Sequence, residues 1–249
     1  MRLPVITGLI KRRLLVNYRA DPEVVLRQLP APFRPKLQEG SAVVGICLIR
    51  LEGMRPAGLP SFAGLSSENA AHRIAVEWED EGAGLREGVF IPRRDTGSVL
   101  NRLAGGRFFP GEHHAARFAV QDDGRRLRLA MESADGLVRV RVAGEAAEGL
   151  PSGSCFGSLD EASRYLAGGS LGYSVTREAN RLDGLELRTR SWSVVPFGVS
   201  EVFSSHFADA SLFPQGTVSF DHALIMRDVA HEWHQAEDFR LPCCADLAA

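Results

Sequence analysis

Two adjacent arginines, Arg93 and Arg94, follow a proline in the run Arg86-Glu87-Gly88-Val89-Phe90-Ile91-Pro92-Arg93-Arg94-Asp95. The Gly88 to Pro92 segment reads as a strand, and neighbouring side chains on a strand leave on opposite faces. At most one arginine of the pair therefore enters an interior cavity. An inward guanidinium grips a ligand carboxylate or enolate oxygen through a two-pronged hydrogen bond, or it neutralises a structural acid such as Glu68 or Asp95. Either way it needs an anion. Glu68 divides in the same manner. It is a general acid or base if desolvation raises its pKa, and a counter-ion if it stays beside the inward arginine.

His72 and Arg73 lie close to Glu68 in sequence, on a strand whose inward face is unassigned. His113, in Glu112-His113-His114, carries an imidazole able to titrate near neutral pH. Adjacent histidines on a strand diverge and chelate poorly, so one ring can reach a cavity; after Phe109-Pro110-Gly111 a surface loop is the simpler expectation. Arg93 and Glu68 are thus candidate catalytic groups, with Arg94, Arg73, His72 and His113 as candidate binding groups.

Other constellations read more plainly. His231 and His234 have helical spacing, but they lack the convergent partners a zinc site needs, and Cys243-Cys244 is not a paired-cysteine array. No metal and no cofactor is expected. Gly153-Ser154-Cys155-Phe156-Gly157 lacks the apolar strand that precedes a nucleophile elbow. Gly168-Gly169-Ser170-Leu171-Gly172 lacks the strand-to-helix setting of a phosphate cradle. Arg126, Arg128, Arg139 and Arg141 have no aromatic residues between them on which bases could stack, so they read as a solvated face.

The chain has 249 residues, 29 lysines and arginines together, and a formal charge of −2. That charge provides no field for gathering nucleic acid or anionic membrane. Only Lys11 and Lys36 are lysine, and both are expected to be solvated. Four cysteines are too few and too irregular for a disulfide framework, and the amino terminus has neither the order nor the length of a secretory signal. The expectation is a reduced, cytoplasmic protein without a membrane partner. Homo-oligomerisation is left open.

The positioning elements follow from period and punctuation. Asp21-Pro22-Glu23 opens a helix that Leu29-Pro30-Ala31-Pro32 stops. Val43 to Leu51 reads as a buried strand, Ile74 to Trp78 as a second, and Gly88 to Pro92 as a third. Thr96 to Leu103 is expected to be a short helix. Arg126 to Glu132 and Leu137 to Val142 alternate with period two around Ala134-Asp135-Gly136, which makes a hairpin with His114 to Val120 beside it. Ser158-Leu159-Asp160-Glu161 starts a helix through about Leu166. Strands return at Gly184 to Trp192 and Thr217 to Met226, and the tail from about Asp228 is expected to be helical or frayed. With no linker long enough to divide it, the chain reads as one mainly antiparallel domain over residues 1–249.

Several segments resemble the acetoacetate decarboxylase-like superfamily, in particular its uncharacterised bacterial branch. They are Tyr18-Arg19-Ala20-Asp21-Pro22 with Leu29-Pro30, Gly40 to Gly45, Arg55-Pro56-Ala57-Gly58-Leu59-Pro60, and Glu68-Asn69 with Arg73. The Arg86 to Asp95 run is closer to the decarboxylases themselves. The resemblance implies a mainly β fold, an antiparallel cone-like barrel with a few short peripheral helices around a small-molecule cavity. It also places Arg93 on the Schiff-base lysine, Arg94 on its cationic neighbour, and Glu68 near an active-site glutamate. A guanidinium cannot form a Schiff base at any working pH. The chain therefore reads as a protein acting on a small oxo-acid or related carboxylate without an amine intermediate. The alternative is a non-catalytic carboxylate-binding protein on the same barrel.

Overall fold

The computed structural model describes residues 4–80, 82–99 and 111–241. The chain enters through β1 (Ile6–Ala20), turns through helix α1 (Pro22–Leu26), and passes two short strands, β2 (Arg34–Pro35) and β3 (Leu37–Gln38). Three long strands follow: β4 (Ser41–Pro56), β5 (Leu65–Asp80) and β6 (Gly84–Thr96). Next come β7 (His113–Asp122), β8 (Arg126–Ser133) and β9 (Arg139–Ala146), then helix α2 (Leu159–Ala167). The last strands are β10 (Leu171–Val175), β11 (Arg181–Thr189), β12 (Val195–Ser204), β13 (Val218–Gln235) and β14 (Phe239–Arg240).

All fourteen strands join one mixed sheet that curls into a ring, the architecture of an acetoacetate decarboxylase-like barrel. Pairing of β6 with β5 closes a large ring through β7, β8, β9, β12, β13, β1 and β4. Pairing of β11 with β13 closes a smaller one through β10 and β6. The two rings share β13, β1, β4, β5 and β6 as a common wall. That wall is buried on both faces, which explains why its strands read as near-continuous apolar runs. Leu14, Val16, Ile46, Leu48, Ala70 and Ile225 face the large ring's core. Leu15, Cys47, Ala71, Val89, Ile91 and Leu224 face the smaller ring and α2.

Both helices start where their caps are. The Asp21 carboxylate accepts from the Glu23 and Val24 amides, and the Ser158 hydroxyl accepts from Glu161 N–H. Two expectations change. The segment after Asp228 continues β13 as far as Gln235, held by β1 on one side and β11 on the other, so the side chains of His231 to His234 alternate across a strand. Thr96 ends β6, its Oγ1 accepts from Ser98 N–H at 3.1 Å and Val99 is helical, while residues 100–103 of the helix expected to reach Leu103 lie outside the described residues, as do Cys243 and Cys244. β1 itself is masked to pattern reading by Lys11-Arg12-Arg13 in its middle, yet Arg12 is only 3% exposed.

Candidate functional site

A cavity of about 100 Å³ opens inside the smaller ring, with walls from β1, β4, β5, β6, β10, β11 and β13 and the start of β7. Leu51, Val89, Ile91, Leu185 and Leu187 make it largely apolar. Into this lining project three arginines: Arg13 from β1, Arg73 from β5 and Arg94 from β6. Arg73 is 7% exposed, and Arg13 and Arg94 are half-buried. Burial pulls the guanidinium pKa of Arg73 and of Arg94 down to about 10, so both keep their charge at neutral pH.

None of the three has a carboxylate partner among the described residues. Arg94 Nε donates to Ser174 Oγ at 2.9 Å, Arg13 Nε lies 3.3 Å from Cys47 Sγ, and Arg73 donates to Asn17 Oδ1. Arg73 Nε is buried without a partner among the described residues. Asp95, also at the cavity edge, is already engaged by Arg93. Among the described residues no carboxylate is hydrogen-bonded or ion-paired to any of the three guanidiniums in this apolar space, although a buried charge normally comes with a paired anion.

Of the adjacent arginines, Arg94 lines the cavity and Arg93 leaves on the opposite face. The cause is a β-bulge. His72 pairs with Arg93 and Ile74 with Phe90, so Ile91 and Pro92 together stand opposite Arg73. The extra residue reverses the alternation, and Arg94 joins Val89 and Ile91 on one face. Arg93, to which the resemblance pointed as the inward residue, donates instead to Asp95 at 2.9 Å and to Asp135 at 2.8 Å. Burial would lower its pKa, but these two carboxylates prevail and raise it.

Glu68 also lies off the cavity lining. Its carboxylate sits 2.6 Å from Arg12 Nη2, and burial raises its pKa against the pull of Arg12 and Arg50. His72 is 1% exposed and packs against His206 at 4.5 Å between ring centroids, on the face of Arg93. The structure thus brings Arg73, Arg94 and His113 together at the cavity and gathers Arg93, His72 and Glu68 on the other face of the wall.

His113 reaches the cavity because it opens β7, which pairs in parallel with β6 and sets His113 beside Arg94. Burial, then the Arg94 charge, hold its pKa at about 3, so the ring is neutral. Arg13, Cys47, Ser170 and Trp233 complete the lining, and sequence reasoning did not find them. Arg13 looked like part of a surface basic cluster. Ser170 sits in the glycine-rich turn Gly168–Ser170 that leads from α2 into β10. Its neighbour Gly172 packs against Ile91 and Val89, and a Cβ there would come within 3.2 Å of Ile91 Cδ1.

Neither lysine enters the cavity. Lys11 pairs with Asp228 at the surface. Lys36, expected to be solvated, has a side chain only 19% exposed, with Nζ 2.5 Å from Glu87 and over the Tyr165 ring at 4.3 Å. The carboxylate and the ring face replace the hydration lost on burial. Among the described residues no three His, Cys, Asp or Glu side chains are placed to hold a metal ion, and no helix is long and apolar enough to cross a membrane.

The chain belongs to the DUF2071 family, described as an uncharacterized conserved protein, which it matches over residues 10–226. No curated protein matches the sequence. Solved structures similar to it include acetoacetate decarboxylase from Legionella pneumophila, at 11% identity and TM-score 0.60, covering 97% of this chain and 88% of that one. The enduracididine biosynthesis enzyme MppR complexed with pyruvate aligns at 12% identity and TM-score 0.58, covering 97% and 91%. An acetoacetate decarboxylase-like enzyme from Sphingomonas wittichii aligns at 13% identity and TM-score 0.52, covering 97% and 94%. At these identities the likeness concerns the fold.

Proposed function

We propose that this DUF2071 member takes a small oxo-acid into the cavity of Arg13, Arg73 and Arg94 and acts on it through an enolate, without a covalent amine intermediate. The observation that carries the reading is the set of three guanidiniums with no carboxylate partner among the described residues. One of them can hold the substrate carboxylate as a planar fork while another faces the oxo group. Negative charge that develops on that oxygen would meet a cation already in place, within a low-dielectric wall, and so the transition state gains more than the ground state. A volume of about 100 Å³ suits an acid of a few carbons. MppR's complex with pyruvate makes pyruvate the first probe.

His113 bears on the choice between enzyme and receptor. With a pKa of about 3 it is a weak base at neutral pH, and a non-catalytic carboxylate receptor would have the same composition. The two readings separate in heavy water. Incubation with pyruvate should exchange its methyl protons with solvent deuterium, or incubation with acetoacetate should release carbon dioxide, faster than buffer alone. Saturable binding with no exchange and no release would leave the receptor reading.

The absence of an amine intermediate is checked independently. Borohydride reduction in the presence of acetoacetate or pyruvate should leave the intact mass unchanged, because Lys11 and Lys36 are each held in an ion pair outside the cavity. A stoichiometric adduct on either lysine would show that the amine route is in use.

A further inference from the structure

Four neighbouring strands bring His222, Asn17, Gly45 and Arg73 into one row. His222 of β13 pairs with Asn17 of β1, Asn17 with Gly45 of β4, and Gly45 with Arg73 of β5. The missing side chain in the middle matters. A Cβ on Gly45 would lie 2.4 Å from the Val16 carbonyl oxygen and 3.3 Å from Asn17 Oδ1. Glycine therefore leaves the space through which the Arg73 guanidinium reaches across β4 to Asn17.

Behind Asn17 the row continues. Asn17 Nδ2 lies 3.0 Å from His222 Nε2, and His222 Nδ1 lies 2.6 Å from Asp221 Oδ2. Adjacent residues on a regular strand would diverge, but Asn17 pairs with His222 and Tyr18 with Phe220, which leaves Asp221 as an extra residue. The bulge re-aims Asp221 toward the ring of its neighbour. Asp221 also accepts from Ser154 Oγ at 2.7 Å and from Cys155 N at 2.9 Å. Burial pushes its pKa up, but the hydrogen bonds from His222, Ser154 and Cys155 outweigh burial and bring it to about 2.

The direction of each bond follows from chemistry. A guanidinium only donates, so Asn17 presents its oxygen to Arg73 and its amide nitrogen to His222. His222 Nε2 must then accept, its ring proton sits on Nδ1, and that proton is donated to Asp221. Asn17 and His222 are both 0% exposed. Reversing any one link would bury two donors or two acceptors face to face, with no water to relieve the desolvation penalty.

We infer that Asp221 and His222 act through Asn17 as positioning residues for Arg73, holding its guanidinium at the cavity wall in the orientation that receives a carboxylate. The purpose assigned to the row rests on the carboxylate reading above. Its wiring does not, and the test is made without ligand. In 15N-labelled protein the ring nitrogens of His222 should report the proton on Nδ1, and Arg73 should give separate, slowly rotating Nη signals. His222→Phe keeps a ring in the space but removes the acceptor, and the separate Arg73 signals should be lost. Gly45→Ala should cause the same loss from the other side of Asn17. A His222 proton on Nε2 in the wild type would overturn the inference without any variant. Arg73 signals unchanged in His222→Phe would overturn it as well.

Discussion

Acidification from pH 7.5 to 5 is expected to remove a large part of this protein's stability. Four histidines, His72 and His231 buried and His113 and His206 half-buried, have pKa values displaced downward, in each case chiefly by desolvation: His72 well below its ordinary value, His113 at about 3, and His206 and His231 at about 4. The unfolded chain takes up protons at these positions below about 6.5, whereas folded His113, His206 and His231 take up none until about 4 or lower and His72 is displaced in the same direction. The unfolded state therefore binds more protons throughout that window, and the unfolding free energy falls as the pH falls. Stability is fully present above 6.5 and is lost toward the folded pKa values. At pH 5 His113, His206 and His231 each withdraw about 2 kcal/mol, about 6 kcal/mol together against the roughly 5–15 kcal/mol that holds a domain folded, and His72 acts in the same sense. Glu68 and Asp95, raised by burial, act in the opposite sense but are outnumbered. Melting curves at pH 7.5, 6 and 5 should show a steep, progressive fall in Tm. A Tm that is level across that range would mean the histidines are not buried as neutral rings.

Substituting the two neighbouring arginines should move stability in opposite directions. Arg93 neutralises Asp95, whose side chain is 0% exposed, and Arg93→Met leaves that carboxylate buried without its cation. Loss of one partner of a buried pair costs about 3–5 kcal/mol, a fall of about 6–20 °C in Tm for a chain of this size. Arg94 has no such partner among the described residues, and its Nε bonds only to a hydroxyl. Arg94→Met keeps the apolar stem and removes an uncompensated charge. It should raise stability by about 1–3 kcal/mol while weakening carboxylate binding. Parallel melts of the two variants check this. A large loss in both would mean that Arg94 has a structural anion of its own.

How much of this could be read from the sequence depends on the range of the interaction. The caps at Asp21 and Ser158 and the β8–β9 hairpin depend on residues a few positions apart, and they were legible. So was the divergence of Arg93 and Arg94. Which of the two turns inward was not, because it is decided by the bulge at Ile91-Pro92 opposite Arg73, a matter of pairing between strands. Strict period two would have set Arg93 on the face of Val89 and Ile91. His113 read as a loop residue because its burial comes from parallel pairing with β6. Arg13 was hidden for a related reason. Its charged neighbours suggested solvent, whereas Arg12 is matched by Glu68 and Asp122 and Arg13 faces the cavity. The superfamily resemblance supplied the ring closure that periodicity could not.

The central claim is that the cavity of Arg13, Arg73 and Arg94 is a carboxylate receptor. Calorimetric titration with pyruvate tests it most directly, with acetone as the uncharged control. The expected result is saturable one-site binding of pyruvate and none of acetone. Arg94→Met should weaken the affinity about 10- to 150-fold, the range for losing a charge-assisted hydrogen bond of about 1.5–3 kcal/mol. Arg93→Gln, measured at a temperature where it remains folded, should bind as the wild type does. Equal affinity in wild type and Arg94→Met, or no saturable binding of pyruvate, acetoacetate or acetate by the wild type, would contradict the account.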